Sequence, residues 1–245
     1  MKAIYENHYL SDTDVANFAR QSFAELAANF TEQQNNNLIK FLARGMATKD
    51  WGQLIKEMVV CDNEEQAHYL ATYLRKIPEH FVPFAHPHIS IRMQAPIPIR
   101  VQCFKHKIGL VESEESRRYI STEPVIFFPK HFRSTAESVK QGSGGIHPKS
   151  QHWMDRYTFH CANALSLYKT MTDSGVCPEQ ARFVLPQGTE VNWLWTGSLY
   201  AYANFFNQRT DPHAQKEIQD LAKQVGDIIA PLYPVSWAAL TAGNY

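Results

Sequence analysis

From His88 to Cys103, apolar and polar side chains alternate. Ile89, Ile91, Met93, Ala95, Ile97, Ile99, Val101 and Cys103 fall on one face; His88, Ser90, Arg92, Gln94, Arg100 and Gln102 fall on the other. A period of two is that of a strand with one buried face. Pro96 and Pro98 have no N–H to give a ladder, so the run is expected to be an edge strand or two strands broken at the prolines. The alternation puts Gln102 opposite the core face, open to a ligand or to solvent.

Most of the remaining chain has helical spacing. Asp12 or Thr13 is positioned to cap a helix with Val15, Phe18, Ala19, Phe23 and Leu26 on one side. Thr31 and Gln34 form a capping signal before Leu38, Ile39, Phe41 and Leu42. Two further helices are expected between about residues 46 and 79. A helix from about Trp153 to Met171 follows, with Tyr157, Cys161, Leu165 and Tyr168 together. Pro178 suits a first helical position. Val191 to Trp195 is a strand or buried segment, and Ser198 can cap a helix carrying Leu199, Tyr202, Phe205 and Phe206. Asp211 and Pro212 are expected to open a final helix with Ala214, Ile218, Leu221, Ala222, Val225 and Ile229 as its apolar stripe.

The 245 residues suffice for one large domain with a core, and 44% hydrophobic with 20% charged residues is ordinary for a soluble globular chain. Lys plus Arg, 24, equals Asp plus Glu, 24, which argues against a general nucleic-acid binder. The four cysteines have no zinc or redox spacing and read as reduced cytosolic thiols. No stretch resembles a signal peptide or a membrane span, so a cytoplasmic location is expected. His86 and His88 lack a third ligand at a telling spacing, so no metal site is expected.

Residues 102–119 concentrate the polar chemistry: Gln102, then Lys105-His106-Lys107, an acidic run through Glu114 and Glu115, and Ser116-Arg117-Arg118-Tyr119. Cationic clusters flanking hydroxyls and carboxylates suit a small anion with polar ring edges, such as a nucleotide. A strand, a turn and a solvated helix start would give the same composition.

The stretch resembles the signature of the flavin-dependent thymidylate synthases, Arg-His-Arg followed by Ser, one residue, Arg and Tyr. Here lysines replace both triplet arginines, and one residue more than in the family separates Lys107 from Ser116. Further matches follow in order. Ala19-Arg20-Gln21-Ser22 is similar to an early element, and His80 to His86 to the family's His-x-x-Pro-Phe-Glu-His with Ala85 in place of the acid. Glu179-Gln180-Ala181-Arg182, Asn204 to Arg209 and His213 to Ile218 resemble the later elements. Ser198 and Tyr200 stand where the family often has Asn and Arg.

The resemblance implies an α/β fold, an antiparallel sheet flanked by helices, in a single domain over 1–245 with a helical insertion near 46–79. It implies a methyltransferase that converts dUMP to dTMP using methylenetetrahydrofolate, FAD and NADPH, in a homotetramer with sites shared between subunits. Carried over residue by residue, dUMP contacts fall on Gln102, Glu114, Glu115, Ser116, Arg117, Arg118, Arg182 and Arg209, with Arg209 also catalytic. FAD contacts fall on His80, Lys105, His106, Lys107, Glu114 and Asn204. His213 to Ile218 are read as mainly structural. The alternatives are a nucleic-acid-binding module using the 105–118 basic cluster, and a family member that keeps the fold without turnover. No membrane partner is expected.

Overall fold

The computed structural model describes the chain except residues 48–55, 58, 61–62, 67, 69–79, 121, 137–141 and 243–245. The helical insertion expected near 46–79 therefore falls largely outside the described residues. Four strands form one antiparallel sheet: β1 (Lys2–Tyr9), β2 (His88–Pro96), β3 (Leu110–Glu114) and β4 (Glu190–Ser198), in the order β1-β2-β4-β3. Among the described residues, helices with defined bounds are α1 (Asp12–Arg20), α2 (Glu32–Leu42), one-turn α3 (Val82–Ala85), α4 (Ile97–Cys103), α5 (Ser150–Asp173), one-turn α6 (Pro178–Ala181), α7 (Leu199–Arg209), α8 (Lys216–Ile229) and α9 (Pro234–Thr241).

The alternation holds along β2. Ile89, Ile91, Met93 and Ala95 are fully buried, and Met93 and Ile91 lie opposite Trp193 and Trp195 of β4. Trp195 packs edge-on to Tyr202 and Phe205 of α7, at 5.6 and 4.9 Å between ring centroids. The α8 stripe of Ile218, Leu221, Ala222, Val225 and Ile229 is likewise buried, and α8 packs against α7 and β1. Each such Ile, Leu or Val side chain contributes about 1.5–3 kcal/mol by leaving water. Thr31 caps α2 in a reciprocal capping box with Gln34, and Ser198 Oγ accepts from Ala201 N at 3.2 Å to cap α7. Among the described residues no helix is long and apolar enough to cross a membrane.

The structure corrects four expectations. β2 is an interior strand, and the chain continues from it as α4, not as a second strand. Pro96 takes the extended N-cap conformation and Pro98 sits in the first turn, where a missing N–H costs nothing. Ile99 and Cys103, four apart, then form a buried helical pair, so Gln102 lies on a helix. The cap of α1 is Ser11, and the helix ends at Arg20 in a 3-10 turn closed by Ala24 at φ 54°. Phe23 and Leu26 are consequently exposed, by 78% and 58%. Finally, α8 begins after Gln215 and is followed by α9. Asp211 instead accepts from His213 N at 2.8 Å, a turn that competes with helix initiation.

Candidate active site

The segment after α4 runs back beside α7. His106 N donates to Cys103 O at 3.0 Å, and the His106 ring stands edge-on to Phe205 at 5.1 Å. Further along, Ser198 N donates to Gly109 O at 3.1 Å. Gly109 has φ +74°, and a Cβ there would lie 3.0 Å from the Ala201 Cβ, so the close approach needs glycine. The Lys105-His106-Lys107 triplet is thereby held against a helix whose last residue is Arg209.

Arg209 is anchored from behind. Its Nε donates to His106 Nε2 at 2.8 Å and its Nη2 to the Gln102 carbonyl at 3.2 Å. Nη1 has no hydrogen-bond partner among the described residues, and Arg209 lines a cavity of about 670 Å³ with Gln102, Asp211, His213 and Gln215. Gln102, His106 and Arg209 are thus brought together from positions about a hundred residues apart, joined by bonds of sequence separation 103 and 107.

His106 must be neutral to accept from a guanidinium. Burial disfavours its charged form, the Arg209 charge adds to this, and its pKa falls from 6.5 to about 4. Between these values the unfolded chain binds a proton that the folded one does not. Stability present above the unfolded pKa is then lost as pH falls toward the folded one. Thermal unfolding followed from about pH 7 to about pH 4 should show this loss, with a shallower slope in His106→Asn. Equal slopes would refute the linkage.

A second cluster joins Arg118 and Arg182. Arg118 Nε donates to Glu179 Oε2 at 3.0 Å, while Arg182 Nε donates to the Glu179 carbonyl at 3.2 Å. The Glu179 carboxylate therefore pairs with Arg118, not with its helical neighbour. Ser116 Oγ accepts from Arg118 N at 3.3 Å. The Arg117 guanidinium turns elsewhere, to the carbonyls of Thr122 and Glu123.

Several of the remaining candidate residues have partners of their own. Glu114, at the end of β3, accepts from Arg100 Nε at 2.9 Å; Glu115 accepts from Asn192 Nδ2 at 2.7 Å. Lys107 pairs with Glu112, whereas the exposed Lys105 ammonium has no hydrogen-bond partner among the described residues. His80 is exposed and precedes Phe81, whose ring lies 5.1 Å from that of Tyr200 at the start of α7. Tyr200 and Arg209 are separated by about 14 Å at the α-helical rise. Asn204 lies between them, half-buried. No group of three His, Cys, Asp or Glu placed to hold a metal ion occurs among the described residues. The Cys103 thiol is pushed up to about 12 by burial.

Arg100 and Arg133 belong to the site's surroundings and were given no role from the sequence; Gln215 and Glu217 lie in the His213 to Ile218 stretch that was read as mainly structural. The signal for Gln215 and Glu217 was the family match of that stretch, together with two polar residues at the start of an amphipathic helix.

Two relatives are named flavin-dependent thymidylate synthase. That of Thermosipho africanus is 32% identical over 168 residues, covering 68% of this chain and 73% of its own. That of Thermotoga neapolitana is 29% identical over 183 residues, covering 75% and 80%. Among solved structures, a UMP/dUMP methylase from Streptomyces cacaoi bound with 5-Br dUMP superposes with a TM-score of 0.77. It is 25% identical and the match covers 99% of this chain and 95% of that one. Residues 7–235 match the family described as thymidylate synthase complementing protein, and the chain belongs to that family, the flavin-dependent thymidylate synthases, which are methyltransferases.

Proposed function

We propose that this protein methylates dUMP to dTMP, with FAD, NADPH and methylenetetrahydrofolate. The observation that carries the reading is the Arg209 guanidinium, held at its back edge by His106 and the Gln102 carbonyl and free at Nη1 beside a cavity. Fixed donors of this kind stabilise negative charge that develops on a uracil ring as its carbon is attacked. Gln102 contacts the same ring. Arg118 and Arg182 hold the phosphate, with Ser116 and the backbone around Glu115 and Arg117 completing the anion site. The exposed Arg118–Glu179 pair is worth at most about 1 kcal/mol. Charge-assisted bonds to phosphate are worth about 1.5–3 kcal/mol each, so phosphate displaces Glu179.

The side chains fit a flavin dinucleotide in kind. The unpartnered Lys105 ammonium suits a diphosphate, the Phe81 and Tyr200 rings offer stacking faces, and His80 and Asn204 supply hydrogen bonds. Bound flavin supplies hydride transfer; the chain supplies orientation and charge. His106 spends its Nε2 on Arg209 and reaches a cofactor only through its other edge. Glu114 orders Arg100 by accepting from its guanidinium.

The spread from His80 to Arg209 supports sites shared within a homotetramer. Exposed Phe159, Leu167 and Trp153 on α5 supply apolar surface for its interfaces. The free thiols of Cys103, Cys161 and Cys177 accord with the cytoplasm, and the continuous core from Val15 to Leu240 with a single domain. The Arg117 guanidinium is spent on the Thr122 and Glu123 carbonyls, which weighs against a nucleic-acid groove that needs that cation free.

The test uses the purified protein. It should be yellow, sediment as four chains, be bleached by NADPH faster when dUMP is present, and form dTMP once methylenetetrahydrofolate is added. The similarity to a UMP/dUMP methylase favours assaying UMP in parallel, as a second substrate. A flavin-loaded protein that makes no methylated product from either nucleotide would sink the reading and favour a member that keeps the fold alone.

A further inference from the structure

Arg133, Glu217, Gln215 and Gln102 form an unbroken hydrogen-bonded line. Arg133 Nη1 and Nη2 donate to the two Glu217 carboxylate oxygens at 2.7 and 2.8 Å. Gln215 Nε2 donates to Glu217 Oε2 at 2.9 Å, and Gln102 Nε2 donates to Gln215 Oε1 at 2.7 Å. Arg133 Nε also donates to Ser143 Oγ at 2.6 Å, which ties the far end of the line to the loop before α5.

One end dictates the direction of every bond. A glutamine amide is nearly symmetric in shape, and by itself turns either way. An ionised carboxylate only accepts. Gln215 must then give its NH₂ to Glu217 and turn its carbonyl to Gln102. Gln102 must give that carbonyl its own NH₂, which leaves Gln102 Oε1 for whatever occupies the cavity. Burial opposes charge on Glu217, but the hydrogen bonds from Arg133 and Gln215 outweigh it and hold the carboxyl below its usual range. It is therefore ionised at neutral pH.

We propose that Glu217, acting through Gln215, orients the Gln102 amide so that its carbonyl faces the ligand and selects uracil over cytosine. The inference rests on reading this cavity as the dUMP site. Gln102 and Arg209 line the same cavity, and among the described residues neither Arg209 Nη1 nor Gln102 Oε1 has a hydrogen-bond partner, so a donor and an acceptor are left for a ligand there. A donor beside an acceptor matches O4 beside N3–H of uracil. Cytosine would set its exocyclic NH₂ against the guanidinium and its N3 lone pair against Oε1. Two like-with-like contacts are a means of rejection. Glu217 and Gln215 are positioning residues: neither need touch the nucleotide.

The test titrates the flavin-loaded protein with dUMP and dCMP by calorimetry. The unaltered protein should bind dUMP at least about tenfold more tightly than dCMP. Glu217→Gln puts an amide that donates or accepts at the head of the line, so Gln215 and Gln102 become free to turn. Gln215→Met removes the middle link and leaves the Arg133–Glu217 pair intact, so it decides alone if Glu217→Gln fails to fold. In each folded variant the dUMP-to-dCMP affinity ratio should fall about tenfold, with tighter dCMP binding as part of the change. A residue that served only to support the fold would weaken both nucleotides and leave the ratio alone, and that result would overturn the proposal. So would equal binding of the two nucleotides by the unaltered protein, although the dUMP reading would survive it. If the unaltered protein does not bind dUMP, the reading of the cavity fails and the inference falls with it.

Discussion

Arg209→Ala is expected to lower kcat about 10²- to 10³-fold, a loss of roughly 2.7–4 kcal/mol of transition-state stabilisation. Two of the guanidinium's nitrogens are engaged by His106 and the Gln102 carbonyl, so its position is set before any ligand binds. A donor positioned in advance is most effective where charge develops during reaction, and its loss falls on turnover more than on binding. Arg209→Lys should recover little. One ammonium cannot reach back to His106 and the Gln102 carbonyl while also facing the ring, because it lacks the planar fork. Arg182→Ala gives the contrast: losing a phosphate contact should raise KM for dUMP and leave kcat nearly unchanged. Steady-state kinetics with separate dUMP titrations distinguish these outcomes. If Arg209→Ala in a folded, flavin-loaded protein weakened dUMP binding but kept kcat within about threefold, its catalytic role would be refuted.

Gly197→Ala is expected to cost about 3 kcal/mol or more of folding stability, a change at the upper end for a single methyl group. Gly197 lies on β4, bonded on one side to β2 opposite Ile89 and on the other to β3 opposite Leu110. A Cβ there would lie 2.3 Å from Leu110 Cδ2 and 2.7 Å from the Gly109 carbonyl oxygen. The leucine can rotate away. The carbonyl cannot, because it accepts from Ser198 N and belongs to a glycine already wedged against Ala201. Relief would need β3 to separate from β4, and β3 leads directly into Glu115 to Arg118. Chemical denaturation measures the loss. For a chain this size a melting temperature lower by about 6–12 °C is expected. A change below about 1 kcal/mol would mean that the strands part more easily than their packing implies.

α2, α7, the stripe of α8 and the strand β2 could be read locally because each carries its own cause. The Thr31–Gln34 capping box, the Ser198 cap, the buried alternation from Ile89 to Ala95 and the stripe from Ile218 to Ile229 are decided by near neighbours and a single apolar face. Local pattern failed where it fitted two structures. Ile99 and Cys103 are consistent with either a strand or a helix, and the prolines, acting through the turn that follows Pro96, selected the helix. β1 and β3 show no apolar–polar alternation, because exposed Ile4, Tyr5 and Val111 stand among their polar residues, and they pair along the outer edges of β2 and β4. The family signature located the polar stretch and named the residues. Which of them work together is a tertiary outcome. Arg118 meets Glu179 across 61 residues, Arg209 meets His106 across 103, and Gln102 meets Gln215 across 113. Spacing along the chain carries no trace of such partners, because buried and half-buried polar groups bond with whatever the packing of the core brings within reach.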